Sequence, residues 1–172
     1  MNWMKQDRKR KQGGFSLIEL LIVVTIILII AAIAIPKLLT VKQQANATAA
    51  VANMRTLGNG LNAYASQYPA VGYPAALTNL AAPSGGSGST PTSTAANLID
   101  DQLANSGTTP KQGYIFAYTP GTASNGPVTT YQIMASPQSG AGTRYFCTDE
   151  SGVIRYADGA ACDWTTSPII GG

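Results

Sequence analysis

The chain carries two successive hydrophobic patterns, and the first is continuous. From Phe15 to Ile35 the 21 side chains are almost wholly aliphatic. A helix of that length measures roughly 31 Å, close to the hydrocarbon thickness of a bilayer. One carboxylate, Glu19, lies at the fifth place of this segment, where hydrocarbon penalises its charge. The pattern therefore predicts a helix able to span a membrane, with one residue that the span alone does not explain.

The second pattern is one-sided. Apolar residues recur at spacings of three and four, which is typical of an amphipathic helix. These residues are Ala47, Ala50, Met54, Leu57, Leu61, Tyr64 and Tyr68. We expect a single helix from Phe15 to about Tyr68, ended by Pro69. Pro36 is expected to kink or locally melt this helix, either as the end of the span or as a compliant joint.

Beyond residue 68 the pattern changes from helical to extended. Residues 69–112 are rich in Pro, Gly, Ser and Thr, which favours a variable loop with a flexible linker at GGSGST and a short helix within 97–105. Four later stretches carry alternating, β-branched or aromatic residues typical of strands: GYIFAYTP, VTTYQIMAS, TRYFCT and GVIRYAD. Tyr114, Phe116 and Tyr118 share one face of the first strand, a suitable partner for the helical stripe.

Together the two halves predict an α+β fold. A long N-terminal helix, hydrophobic in its first half and amphipathic in its second, packs on a small antiparallel sheet of three or four strands. The stretch Asp149 to Gly152 is expected to form the tight turn between the last two strands.

Charge is unevenly distributed along the 172 residues, although the formal net charge is only +3. Residues 1–14 carry a net charge of +4 and the remainder carries −1. Once the first segment is set apart, no basic surface suited to nucleic acid remains, so no specific nucleic-acid site is predicted. The chain has no His, which excludes a Ser-His-Asp or Cys-His catalytic arrangement. No catalytic residue, metal site or cofactor is predicted, and an enzyme is not expected.

The two cysteines, Cys147 and Cys162, are too few for a zinc or iron–sulfur site in a chain without His. In an exported chain such a pair is expected to form one disulfide, whereas two free thiols would fit a cytosolic protein. Asp149, Glu150 and Asp158 are the acidic residues suited to a calcium-binding loop. Solvated turn carboxylates are the favoured interpretation of the same three residues.

Three interpretations fit a basic leader followed by an apolar helix. A secretory signal peptide would be cleaved at Ala32-Ile33-Ala34, but the apolar region of such peptides spans about 7–15 residues and this one is longer. A plain signal anchor would keep the basic leader in the cytoplasm and export everything after Pro36. Neither interpretation accounts for Glu19.

The third interpretation rests on the stretch GGFSLIELLIVVTIILIIAAIAIP. A basic leader that ends in Gly14, followed by Phe15 and a span with Glu at its fifth place, resembles the class III signal of type IV prepilins. The resemblance implies cleavage between Gly14 and Phe15 by a membrane prepilin peptidase, which also methylates the new N-terminal amine of Phe15. Ser16 departs conservatively from the Thr often found at this place in the family.

The same resemblance implies a role for Glu19. A charge in a filament core needs a partner, and the family pairs this carboxylate with the amine of Phe15 on a neighbouring subunit. The protein would then be a structural subunit of an extracellular type IV pilus, serving adhesion, motility or DNA uptake. It would be located in the bacterial inner membrane as a prepilin before inner-membrane assembly machinery adds it to the homo-polymer.

This interpretation divides the chain into five parts: a removed cytoplasmic leader at 1–14, a transmembrane and assembly helix at 15–36, an amphipathic helix at 37–68, a variable loop at 69–112, and a sheet with a disulfide loop at 113–172. Two alternatives stay open. A pseudopilin of a type II secretion system shares the leader, although the Asp-Pro-Trp-Gly type of stretch common there is absent and a C-terminal Cys pair is pilin-like. A minor tip adhesin or membrane-anchored binding module would be a trace component of surface fibres.

Overall fold

The computed structural model describes residues 15–84, 89–123 and 125–170. They fall into two compact units, one ending at Thr40 and the other beginning at Val41. The elements are, in chain order, α1 (Leu17–Gln67), a 3₁₀ helix (Leu77–Leu80), α2 (Asp101–Ala104), β1 (Tyr114–Pro120), β2 (Tyr131–Pro137), β3 (Arg144–Asp149) and β4 (Arg155–Asp158). The predicted α+β class, with one long helix and a four-stranded sheet, is confirmed.

In the second unit, α1 buries the predicted apolar stripe. Spacings of three and four residues place these side chains on one side of the helix, where they meet the core. The buried positions are Ala50, Met54, Leu57, Gly60, Leu61 and Tyr64. Ala47 and Tyr68 are half-buried and pack against the same core. The helix ends at Gln67 because Tyr68 precedes Pro69, and the residue before a proline is disfavoured in the helical conformation.

The sheet is an antiparallel meander with the order β1-β2-β3-β4. Phe116 lies opposite Ala135, and Phe146 lies opposite Tyr156. Strand alternation puts Tyr114 and Phe116 on the inner face, where both are fully buried in the same core cluster as the α1 stripe. The predicted pairing of this sheet face with the helical stripe is therefore confirmed.

Part of the region 69–112 differs from the variable loop expected from its composition. Leu77 and Leu80 of the 3₁₀ helix are buried, and so are Ile99 and Leu103 further along. A Cβ placed on Gly60 would lie 2.8 Å from Cγ2 of Ile99, so this segment packs directly on α1. The expected variable loop therefore contains apolar side chains that complete the core, even though they show no periodicity along the chain.

The short helix expected within 97–105 is confirmed in a narrower form, Asp101–Ala104. Asp100 caps it, since its carboxylate accepts a hydrogen bond of 2.9 Å from the backbone N–H of Leu103. Lys111 Nζ lies 2.7 Å from the same carboxylate and lowers the pKa of Asp100. Four residues of the GGSGST linker, 85–88, lie outside the described residues.

Three tyrosine rings pack together beside the sheet. The ring of Tyr131 lies 4.7 Å from that of Tyr73 and 6.2 Å from that of Tyr118, measured between centroids. Burial raises the pKa of Tyr131 to about 12. The arrangement supports the interpretation of these aromatic residues as core.

Candidate assembly site

The first unit presents an apolar helix surface. The most apolar 18-residue stretch of α1 has no buried residue, and by length and composition this helix is able to cross a membrane. The large exposed side chains up to residue 35 are Phe15, Leu17, Ile18, Leu20, Leu21, Ile22, Val23, Val24, Ile26, Ile27, Leu28, Ile29, Ile30, Ile33 and Ile35. A surface this apolar requires hydrocarbon or other protein against it, which suits the precursor of a membrane-anchored protein.

Glu19 is held at the start of α1 by its own chain. The backbone N–H of Ser16 donates a hydrogen bond of 3.0 Å to Oε2 of Glu19. Because the helix begins at Leu17, Ser16 is the N-cap and Glu19 is the third helical residue, and this bond is one half of a capping box. The positive end of the helix dipole also favours a carboxylate here. The carboxylate is thus fixed through one oxygen while the other accepts no hydrogen bond from the described residues.

Phe15 is the first residue that the structure describes, and its side chain is 79% exposed. Gly14, on the other side of the predicted cleavage point, lies outside the described residues. Cleavage after Gly14, methylation of Phe15 and pairing of its amine with Glu19 of another subunit therefore stay predictions.

Pro36 lies inside α1, which continues through it as regular helix. The expected local melting is therefore absent. A proline removes one backbone hydrogen bond, and the helix nevertheless runs without a break from Leu17 to Gln67. The Pro36 carbonyl oxygen accepts a bond of 3.1 Å from the Thr40 hydroxyl. The role of Pro36 as a compliant joint stays a prediction.

The structure joins Cys147 of β3 to Cys162 in the C-terminal tail, with Cα atoms 5.7 Å apart. The tail then runs along the outer edge of β4. Tyr156 N–H donates to the Pro168 carbonyl at 3.0 Å, and Ile170 N–H donates to the Ile154 carbonyl at 3.0 Å. The disulfide therefore fastens a segment that completes the sheet.

Two of the three carboxylates considered for calcium, Asp158 and Asp149, are hydrogen-bonded to separate groups of their own chain. Asp158 accepts a hydrogen bond of 2.8 Å from Nε of Arg144, which lowers its pKa. Asp149 accepts a bond of 3.0 Å from the backbone N–H of Ser151 in the predicted turn. Among the described residues no three acidic, His or Cys side chains come together as a metal-binding group. The geometry is that of turn and surface carboxylates.

Two features at these sites were not anticipated from the sequence. The capping role of Ser16 had a local signal, since Ser followed three residues later by Glu is the capping-box spacing. The pairing of residues 168–170 with β4 had no such signal, because a three-residue extended segment shows no periodicity.

Comparison with known proteins bears on the first unit most directly. Residues 9–35 match the prokaryotic N-terminal methylation motif. A stretch of 57 residues, 33% of the chain, is 37% identical to the type II secretion system core protein G of Aeromonas hydrophila. The chain spans 40% of the length of that relative. No solved structure matches the chain.

The motif and a helix able to cross a membrane are features that the chain shares with proteins that carry a prepilin-type N-terminus. Within that class the chain is type IV pilin-like, since both the motif and the relative support this resemblance.

Proposed function

We propose that the protein is a structural subunit of an extracellular type IV pilus. A prepilin inserted in the inner membrane is cleaved after Gly14 by a prepilin peptidase and methylated at Phe15. Inner-membrane machinery then polymerises it through α1 into a helical filament. The subunit acts by assembling and performs no catalysis of its own.

The observation that carries this proposal is the exposed apolar half of α1 with one carboxylate at its start. Exposed aliphatic surface of this extent is stable only against lipid or against other copies. A bilayer alone would favour a span without Glu19, because a carboxylate in hydrocarbon is unfavourable. In a filament that carboxylate can form an ion pair, since the amine of Phe15 from a neighbouring copy can neutralise its charge in a core without water.

The hydrogen bond from Ser16 supports the same assignment. It holds Glu19 by one oxygen at the end of α1, so that the second oxygen is open to a cationic partner. A side chain already ordered within its own subunit loses less conformational entropy when it forms an intermolecular ion pair.

The direct test is mass spectrometry of filaments sheared from the cell surface. We expect the mature chain to begin at methylated Phe15 and to be the main component of the fibres. A chain cleaved after Ala34, or surface fibres that lack this protein, would overturn the proposal.

Substitution of Glu19 tests the assembly step separately. Glu19→Gln keeps an oxygen that can accept from Ser16 N–H but removes the charge, so we expect cleavage and insertion to persist and filaments to be lost. Thr48→Ala is a control in the same helix outside the apolar half, because the exposed Thr48 hydroxyl bonds to the Gln44 carbonyl of its own turn. Normal filaments from Glu19→Gln would contradict a role for the charge.

A pseudopilin of a type II secretion system is the second candidate, favoured by the similarity to core protein G. Deletion of the gene distinguishes the two functions. Loss of surface fibres with normal protein secretion supports the pilus subunit, whereas loss of secretion with normal fibres supports the pseudopilin.

A further inference from the structure

Two cations of α1, Lys42 and Arg55, form no ion pair among the residues that the structure describes. Between residues 41 and 67 the helix carries Lys42 and Arg55 and no acidic residue. Both side chains are exposed and lie off the buried stripe. Within the described residues neither forms an ion pair. This part of the helix therefore presents two uncompensated positive charges.

The rest of the second unit has the opposite balance. Residues 68–170 carry six acidic and three basic side chains, a net charge of −3. Two of the bases are used internally, since Lys111 pairs with Asp100 and Arg144 pairs with Asp158. The third, Arg155, donates to the Ser167 carbonyl at 2.8 Å.

Among the remaining acids, Glu150 is the one best suited to bind a cation outside its own subunit. It is exposed at the turn between β3 and β4, and its carboxylate accepts no hydrogen bond from the described residues. Asp149 beside it adds a second negative charge, although that carboxylate is partly used by Ser151. By contrast, Asp163 is already bonded by the backbone N–H groups of Thr165 and Thr166.

We propose that Lys42 and Arg55 of one copy dock against the Glu150 turns of two different neighbouring copies, because thirteen residues, or roughly 20 Å, of α1 separate the two cations. This contact rests on the filament proposed above and names the surfaces that meet outside the apolar core. Positive and negative charge lie on different elements of the same subunit, so the contact they favour joins unlike surfaces of two copies. Such heterologous contacts generate open helical assemblies, whereas a contact between like surfaces would close a dimer.

The expected contribution is to docking and register more than to the strength of the fibre. Exposed ion pairs contribute little to stability, but complementary charge accelerates encounter and excludes wrong alignments. Apolar helices slide easily past one another, because apolar contact is non-directional. A charged contact at a fixed distance from Phe15 along the chain would select one alignment among these.

Charge reversal with rescue tests the contact in the full chain, expressed in cells whose own filaments form normally. We expect Lys42→Glu/Arg55→Glu to lower the yield of sheared filaments by about tenfold or more, because juxtaposed like charges oppose docking. Glu150→Lys is expected to lower it alone and to restore it, to within about threefold of wild type, when combined with the helix reversal. Asp101→Lys makes the same change of charge at another exposed acid and should not rescue.

Several results would overturn the contact while leaving the filament itself in place. These are normal filament yield from Lys42→Glu/Arg55→Glu, failure of Glu150→Lys to rescue it, or equal rescue by Asp101→Lys. Failure of rescue together with poor membrane insertion of the precursor would assign the two cations to anionic lipid headgroups instead. Thermal unfolding of each purified variant in detergent checks that the second unit is folded. If the wild-type chain forms no filament, the proposed function fails and not this contact alone.

Discussion

The two halves of α1 have the same secondary structure and opposite surroundings. Residues 17–40 expose almost every aliphatic side chain, whereas residues 41–67 bury a stripe of them against the sheet and the 3₁₀ helix. Helix formation alone does not distinguish the halves, because Leu, Val and Ala occur in both. The difference is the location of the packing partner, which for the second half lies in the same chain and for the first half lies outside it.

One helix therefore combines a surface typical of a membrane or bundle helix with a surface typical of a helix in a globular domain. An apolar surface that is continuous around the helix indicates lipid or a bundle of other helices, and a one-sided stripe indicates a single packed face. Mutations in the two halves should consequently separate folding from assembly.

The largest effect on folding is expected at Leu57, and Leu21 is the exposed leucine with which it is compared. Leu57 is fully buried and Leu21 is 60% exposed. Leu57→Ala leaves a cavity and should lower the free energy of unfolding by about 2–5 kcal/mol. Leu21→Ala should change it by less than about 0.5 kcal/mol. Denaturant unfolding of the full chain in detergent, followed by tyrosine fluorescence, measures both.

The effect on filament strength should be larger for Leu21→Ala than its effect on the free energy of unfolding. We expect Leu21→Ala to weaken filaments more than its effect on folding suggests, because that side chain gains its contacts only from other copies. If Leu21→Ala destabilised the fold as strongly as Leu57→Ala, the division of α1 into two functional halves would be wrong.

Removing the disulfide should have the next largest effect, confined to the second unit. Cys147→Ser/Cys162→Ser removes a link across 15 positions, which should cost about 3 kcal/mol in the chain-entropy account. Thermal unfolding with and without dithiothreitol measures the loss. The reductant should destabilise the wild-type protein and leave the double variant unchanged; a reductant effect on the variant would assign the loss to another cause.

Two glycines of the packed half of α1 should respond in opposite directions. A Cβ on Gly58 would lie 3.7 Å from the Tyr131 hydroxyl, an ordinary contact, so Gly58→Ala should stabilise the protein by up to about 1 kcal/mol through helix propensity. A Cβ on Gly60 would lie 2.8 Å from Ile99, and overpacking there should outweigh that gain. Equal stabilisation by both substitutions, measured by thermal unfolding, would show that the segment around Ile99 does not pack tightly on α1.

The smallest effect should be a loss of stability in acid. Hydrogen bonding to Arg144 and Lys111 lowers the pKa values of Asp158 and Asp100 below the ordinary 3.8. Their contribution to folding is therefore complete above that pH and is lost as the pH falls through the lowered values. Both groups are exposed, so the change should be modest. Below the ordinary pKa of 3.8, Asp158→Asn should make the unfolding midpoint depend less on pH.

Most of the architecture could be predicted because its signals are local. The stripe from Ala50 to Tyr64 has helical spacing, and each strand combines alternation with flanking turn residues, so pattern and structure agree. The N-terminal motif is also local, with Gly14, Phe15 and Glu19 within six residues. The position of Glu19 relative to the helix start then follows from chain order.

The packing of residues 69–112 could not be predicted, because it depends on contacts distant in sequence. Ile99 lies in a segment of Asn, Asp and Ser that favours a loop, yet it fills the space above Gly60. The charged contact proposed between copies is a similar case. The sequence shows two cations and a distant acidic turn, and only the internal pairing of Lys111 and Arg144 reveals which charges are left over.

The bonds along the outer edges of β1 and β4 have a consequence for how the sheet meets other molecules. Ser106 accepts a bond of 2.9 Å from Phe116 N–H on the outer edge of β1, and the disulfide-fastened tail follows β4. Uncovered edge strands recruit strands from other molecules and lead to amyloid-like aggregation. Where bonds within the chain occupy an edge in this way, that part of the edge cannot pair with a strand of another molecule, which disfavours β-aggregation.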